Sequence, residues 1–251
     1  MKSDLDLAIL PQPDDTTCGP TCLQAVYSYF GDRVSLDEII REVTTLDSGG
    51  TLAVYLACHA LRRGYTAHIY TYNLHFFDPT WFTSGSQDLH GKLLAQATLK
   101  KDDPRLFAAA RGYLDFLALG GRLHFEDLNR NLIRGPLRKS LPIITGLSST
   151  YLYRSMREFG PEGVDDDLRG EPTGHFVVLA GYDREARSVH IADPYRKNPM
   201  STTHHYDVHI DRVISAILLG VLTHDANFLI IQPPRPNHKK SNHRADPDRC
   251  Q

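Results

Sequence analysis

The sequence predicts an α+β fold in which N-terminal helices pack on a C-terminal antiparallel sheet, with a helical insertion between the two. Three observations predict it. Up to Gly64, apolar residues recur at helical spacing and are punctuated by helix start and stop residues. From Leu141 onward, short apolar runs bounded by Gly, Pro and Asp read as strands. Between them, residues 86–140 repeat Leu89, Leu93, Leu94, Leu106, Leu114, Phe116 and Leu117 at helical intervals among charged residues, with almost no strand signal.

Each element follows from local chemistry. The stretch DDTTCGPTCLQAVYSYFG, residues 14–31, predicts a first helix over 19–30. Pro20 suits an early helical position, where its missing N–H costs nothing, and Gly31 closes the end. Leu23, Val26, Tyr27 and Phe30 form the buried face. A second helix over 35–42 opens on Ser35 with Glu38 three residues on, a capping box. The loop LDSGGT leads into a third helix over 52–63 that stops at Gly64 and feeds the alternating strand YTAHIYTYN. After the helical segment of about 80–140 come the strands LPIITGL, HFVVLAGYD and SVHIADP, with a Gly-, Pro- and Asp-rich loop around 158–172 between the first two. A helix over about 211–222 precedes the apolar strand NFLIIQ. Residues 1–232 are expected to form a single domain, and 233–251, which lack apolar content, a disordered tail.

Composition narrows the function classes. The chain has 251 residues, 41% hydrophobic and 23% charged, ordinary values for a globular protein with a full core. A net charge of -2 gives no reason to expect nucleic acid or an anionic membrane as partner. No apolar run is long enough to span a bilayer, and the opening MKSDLDLAILPQPDD is too short in apolar residues for a secretory signal, so a cytoplasmic protein is expected. Cys18, Cys22, Cys58 and Cys250 are too few for a disulfide scaffold. Cys18 and Cys22 lie on one helix face, poorly placed for a bridge, and no second pair supplies a zinc-type pattern. His204, His205 and His209 cluster without accompanying ligands, and a solvated loop is expected there rather than a metal site. Neither metal nor cofactor is expected.

Cys18 at a helix start is open to three readings: a small buried residue, a redox or metal ligand, or a nucleophile. At a helix N-terminus, free amide N–H groups and the macrodipole favour an anionic sulfur, and a neighbouring imidazolium adds to this. The strands HFVVLAGYD and SVHIADP read as a hairpin turning near Arg184. Residues whose numbers sum to about 368 then face each other, which sets His175 directly opposite Asp193. An imidazole beside a carboxylate is the oriented base a thiol nucleophile needs. Gln12, six residues before Cys18, would complete the set by pointing its amide at the same spot as the Cys18 N–H, as an oxyanion donor.

Taken together, Gln12, the stretch DTTCGPTCLQAVYSYFG, GHFVVLAGYD and IADP resemble the papain-like cysteine peptidases, specifically the double-glycine, bacteriocin-processing family found as peptidase domains of peptide-exporting ABC transporters. The resemblance covers roughly residues 8–75 and 140–232. It implies a papain-like fold with Cys18 as nucleophile, His175 as base, Asp193 as orienting acid and Gln12 as oxyanion donor. Two departures stand out: the helical segment of about 80–140 has no counterpart in that family's core, and no transporter domain follows. A standalone relative is therefore expected, its insertion covering or shaping the substrate cleft, or else serving as a peripheral decoration or an oligomer contact.

The expected activity is hydrolysis of a peptide or amide bond through an acyl-enzyme on Cys18, with a peptide or amide as substrate. The same residues would serve a transpeptidase or deamidase, and a non-catalytic peptide-binding relative is the reading from another class. Oligomeric state is not legible. Three further groups are weaker candidates. SGGT at 48–51 is a glycine turn that binds a substrate or only caps a helix. Ser148, Ser149 and Tyr151 follow a strand toward the cleft. The acidic VDDD at 164–167 faces a basic peptide or is a solvated loop.

Overall fold

The computed structural model describes residues 2–46, 49–83, 88–223 and 226–234. In chain order the elements are β1 (Lys2–Asp4), α1 (Cys18–Tyr29), α2 (Leu36–Glu42), α3 (Ala53–Arg62), β2 (Thr66–Thr71), α4 (Leu89–Leu99), α5 (Pro104–Ala118), β3 (Arg122–His124), α6 (Arg130–Leu137), β4 (Ile143–Ser148), α7 (Ser149–Tyr153), β5 (Glu158–Phe159), β6 (Val164–Asp165), β7 (Gly174–Asp183), β8 (Ser188–Ala192), β9 (His205–His209), α8 (Ile210–Leu219) and β10 (Asn227–Gln232). The main sheet runs β3-β2-β10-β4-β7-β8-β9, and β1 pairs with the far end of β7. Its pairings are antiparallel except for β2 with β3. β5 and β6 form a separate small hairpin.

The fold is α+β, as the sequence predicts, with one correction to the layering. Helices cover both faces of the sheet. In β7, Phe176, Val178 and Ala180 pack with residues of α1, α3 and α5, while Val177 and Leu179 pack with residues of α6 and α8. β10 divides likewise, Leu229 and Ile231 to the first layer and Phe228 and Ile230 to the second. The two-residue period of a strand thus feeds two cores, which is why these strands read as unbroken apolar runs rather than alternating ones.

The N-terminal helices follow their sequence signals closely. α1 begins one residue earlier than expected, at Cys18, and ends before Gly31, whose φ of +80° suits glycine. Leu23, Val26 and Tyr27 are fully buried, while Phe30 is only partly so. At α2 the Ser35 side chain accepts from the Glu38 N–H at 3.2 Å.

The insertion is mostly helical, but residues 122–124 form a strand that extends the sheet in parallel with β2. Three residues are too few to show a period, so this pairing carries no local signal. α5 is not peripheral: Leu106, Ala109, Tyr113 and Phe116 belong to the same apolar core as α1 and α3, and the Tyr55 hydroxyl donates to the Ala108 carbonyl at 2.9 Å.

The hairpin register also differs from expectation. β7 ends at Asp183 and β8 starts at Ser188, so the turn centres beyond Arg184, with Asp183 Oδ1 accepting from the N–H groups of Glu185 and Ala186. Val178 then faces Ala192 and Leu179 faces Ile191, a shift of two residues from the expected register, with an irregularity at Ala180. His175 sits opposite Leu147 of β4, not Asp193. A two-residue shift keeps the face, so His175 and Asp193 become diagonal neighbours.

His205 and His209 lie on strand β9 rather than in the expected loop, and the His205 ring stacks on His190 at 5.4 Å. Strands β1 and β9 carry little sequence signal because each is short and lies at a sheet edge. The expected tail lies outside the described residues from 235 on, as do Ser48 and Cys250.

The shared core makes a prediction. Phe116 is fully buried, so Phe116→Ala should cost about 3–5 kcal/mol. Urea denaturation should show one transition for the variant, not separate loss of α4 and α5 ahead of the rest.

Candidate active site

α1 presents its N-terminus to a cleft of about 480 Å³ lined by Cys18, Gly49, Gly50, Thr51, Arg105, Glu171, Gly174, His175 and Thr223, among others. Cys18 is the first helical residue and is half-buried. The N-cap residue, Thr17, makes no side-chain cap, and no acidic residue occupies the first turn. Within its first turn the helix therefore carries no carboxylate against its positive end, and Asp15, before the helix, lines the same cleft. Thr17 Oγ1 instead donates to the Asp14 carbonyl at 3.1 Å, and Asp14 Oδ1 accepts from Thr16, which fixes the entry loop.

Gly19 is required by close approach: a Cβ there would lie 2.6 Å from Thr51 Cγ2. Thr51 is itself tied down through its hydroxyl, which donates to the Thr44 carbonyl at 2.8 Å. The glycine turn before α3 thus packs against the start of α1. Gly49 and Gly50 both have positive φ and line the cleft.

His175, buried at the start of β7, lines the same cleft as Cys18 and hydrogen-bonds through Nε2 with Asp193 Oδ1 at 2.8 Å. With Nε2 committed to the carboxylate, Nδ1 is the nitrogen left for the thiol. Asp193, just past the end of β8, is fully buried. Its Oδ1 also accepts from the Tyr195 N–H at 2.8 Å, and its Oδ2 accepts from the hydroxyls of Tyr153 at 2.7 Å and Tyr206 at 2.6 Å. The backbone is held too: the Asp193 N–H donates to the His204 carbonyl, and His204 Nδ1 donates to the Asp193 carbonyl at 2.7 Å.

These contacts set the charges. Burial alone would push the imidazolium of His175 down. The charge and hydrogen bond of Asp193, with the Cys18 sulfur beside it, outweigh burial and push it up to about 10. Burial raises the Asp193 carboxyl, but His175 and the hydroxyls of Tyr206 and Tyr153 hold it below the ordinary carboxylate range. Both groups are therefore charged at neutral pH. Burial pushes the thiols of Cys22 and Cys58 up, that of Cys58 to about 11, and their sulfurs contact the carbonyls of Phe176 and Gly112.

The structure brings Cys18, His175 and Asp193 together as expected. Gln12 is close but differently engaged. Its backbone N–H donates to the Pro194 carbonyl at 2.9 Å, docking this loop beside Asp193, and its Nε2 donates to the Asp14 carbonyl at 2.9 Å. It is not among the cleft-lining residues.

Of the weaker candidates, Gly49, Gly50 and Thr51 reach the cleft. Ser148, Ser149 and Tyr151 do not. Ser148 is buried and caps α7, the Ser149 hydroxyl bonds to Thr173, and Tyr151 is exposed. In the VDDD stretch, Asp166 caps its own loop by accepting from Leu168 and Arg169, and Val164 and Asp165 form β6. Sequence reading missed Tyr153, Tyr206, His204 and Arg105. The alternation of Tyr206 and Val208 in HHYDVH is the signal that would have placed Tyr206 on the buried face of a strand. Arg105, from the insertion, donates to the Thr223 carbonyl at 3.3 Å across the cleft.

No curated protein matches the chain. Several solved structures resemble it, among them the following three. A double-glycine-motif protease from an AMS/PCAT transporter, in complex with the leader peptide, is 13% identical with a TM-score of 0.44, covering 92% of this chain and 94% of that one. Xylellain, a cysteine protease from Xylella fastidiosa, is 16% identical with a TM-score of 0.46, covering 93% and 86%. A C39-like peptidase from Bacillus anthracis is 16% identical with a TM-score of 0.43, covering 94% and 100%. The family model of the Peptidase_C39-like family matches residues 4–213, a span that includes Gln12, Cys18, His175 and Asp193, and the chain belongs to that family.

Proposed function

We propose that this protein is a cysteine peptidase that hydrolyses a peptide bond through an acyl-enzyme on Cys18, within one catalytic domain over residues 1–232. The observation that carries the reading is the chain of contacts from the Cys18 thiol at a helix N-terminus through the His175 ring to the buried carboxylate of Asp193. Membership of a peptidase family supports a peptide as the substrate class.

In this mechanism the Cys18 proton resides on His175, leaving a thiolate beside an imidazolium. The sulfur attacks the scissile carbonyl carbon, and the electron pair of the C=O bond moves onto oxygen. The Cys18 backbone N–H and the Gln12 amide donate to that oxyanion. An amide NH₂ has two donors and Asp14 takes one, so Gln12 has a second N–H to give. As the tetrahedral intermediate collapses, the C–N bond breaks and His175 protonates the leaving amine. The now neutral His175 takes a proton from water, which attacks the thioester, and collapse of the second intermediate expels the thiolate and frees the acid product. Asp193 keeps the ring in the tautomer that presents Nδ1 to sulfur and holds the imidazolium in place.

The charge states give a sign. Asp193 lies below its ordinary value and His175 lies near 10, so the ion pair is intact from mildly acidic through neutral pH. Site-resolved mass spectrometry after iodoacetamide treatment reads it. At pH 6 Cys18 should be alkylated at least about tenfold faster in the wild type than in His175→Ala, a gap that closes as pH approaches 10. Equal rates in the two proteins would leave a peptide-binding relative without catalysis as the surviving reading.

Gln12 gives a second test. Gln12→Ala should lower kcat on a cleaved peptide about 10²–10³-fold while leaving Cys18 alkylation unchanged, because the donor acts on the oxyanion and not on the thiol. An unchanged kcat removes Gln12 from the mechanism.

A further inference from the structure

Asp193 is an unusual group to find where it is. It is a fully buried carboxylate whose ion-pair partner, His175, bonds to one oxygen only. The other oxygen, Oδ2, takes two phenol hydroxyls, from Tyr153 at 2.7 Å and Tyr206 at 2.6 Å. These donors come from different elements, Tyr153 from the last residue of α7 and Tyr206 from the second residue of β9. Two chain segments far apart in sequence converge on a single oxygen atom.

We propose that Tyr153 and Tyr206 form a two-phenol clamp that positions Asp193, turning Oδ1 toward His175 and keeping the carboxylate ionised so that it can hold the imidazolium. A carboxylate can rotate about its Cβ–Cγ bond and exchange its oxygens. Two short O–H···O⁻ bonds to Oδ2, with the Tyr195 N–H and His175 on Oδ1, leave one orientation. The clamp acts through Asp193, and the Tyr153 ring also lies 6.3 Å from that of His175. It rests on the assignment of Cys18 and His175 as nucleophile and base.

The surroundings are consistent with donors that stay donors. Burial, and then the charge of Asp193, drive both tyrosines far above the ordinary phenol range, so neither ionises at any working pH. The titratable groups around Asp193 are His175 on β7, Tyr153 on α7, Tyr206 on β9, Cys22 on α1, and Tyr195 in the loop after β8. His204 meets the Asp193 backbone, and Cys18 lies beyond His175. Of the groups that donate to the carboxylate through a side chain, His175 is held up to about 10 and both phenols are held far above their ordinary range, so across the acid range the group that changes charge in this cluster is Asp193 itself. Loss of a phenol donor removes stabilisation from the carboxylate alone, so Asp193 must protonate at higher pH.

The test is the pH dependence of Cys18 alkylation by iodoacetamide in the full chain, for wild type, Tyr153→Phe, Tyr206→Phe, the double variant and His175→Ala, with Tm measured in parallel. In the double variant the acid limb of the rate should move up by about one pH unit, so that the rate on the limb itself falls by up to about tenfold while the rate at pH 6 stays nearly unchanged, with the single variants intermediate. In an Asp193→Asn background, adding Tyr206→Phe should change the rate by less than about twofold, since the group the phenol positions is no longer ionised. A purely structural role would lower Tm without moving the limb. The clamp is overturned if the limb stays in place in folded single variants, or if Tyr206→Phe has the same effect on rate with Asn at 193. A wild type whose Cys18 reacts no faster than in His175→Ala would instead overturn the nucleophile–base assignment, and the clamp with it.

Discussion

A single buried negative charge organises this molecule. Removing a carboxylate from water costs several kcal/mol even after relaxation, and only close, well-aligned partners offset it. Asp193 has four: an imidazolium, two phenols and a backbone N–H. Hydrogen bonds to a charged group contribute about 1.5–3 kcal/mol each, so four are of the size needed. Few of these donors are local in sequence. β7 supplies His175, α7 supplies Tyr153 and β9 supplies Tyr206, and only the Tyr195 N–H lies within two residues. The charge is tolerable only when the sheet and the helices at its end are all in place.

Linkage gives that dependence a pH window. Asp193 is held below its ordinary value of 3.8, so its share of stability is present above that value and lost as pH falls through the depressed one. His175 is raised from 6.5 to about 10, so its share is fully present below 6.5 and lost as pH rises toward 10. The two shares are jointly complete between about 4 and 6.5 and decline outside it. Activation of the thiol and stability of the fold thus draw on the same ion pair.

How much of this was legible in the sequence depends on how local the cause was. Cys18 at a helix start, Gly19 and Pro20 after it, and Ser35 with Glu38 are decided within a few residues, and all were read in place. His175 and Asp193 were found as partners, yet by a register two residues out. The turn between β7 and β8 centres beyond Arg184, and the pairing survived because a two-residue slip preserves the face. Tyr153 was invisible for a different reason: it donates to a carboxylate forty residues away and looks, in its own neighbourhood, like any half-apolar side chain. Tyr206, thirteen residues from Asp193, had only the short alternation HHYDVH to mark it. The strand at residues 122–124 and the reach of Arg105 to Thr223 are likewise tertiary facts with no local signature.

The insertion follows the same logic. α5 shares its core with α1 and α3, and Arg105 crosses from α5 to the Thr223 carbonyl, forming part of the cleft wall beside Cys18 and His175. A second cavity of about 660 Å³ lies against α5 and shares Arg105 and Leu46 with that cleft. The walls around the thiol therefore come from α1, the glycine turn before α3, the insertion and the start of β7, segments that meet only when folding is complete. No subset of them preorganises the sulfur. His175 is held in place by β7 paired with β4, and Asp193 keeps its charge when buried because α7 and β9 supply donors to it. In the unfolded chain Cys18 has no ring beside it and no helix dipole behind it. Its reactivity is a property of the whole fold, and any substitution that loosens the clamp on Asp193 should be felt at a sulfur atom it does not touch.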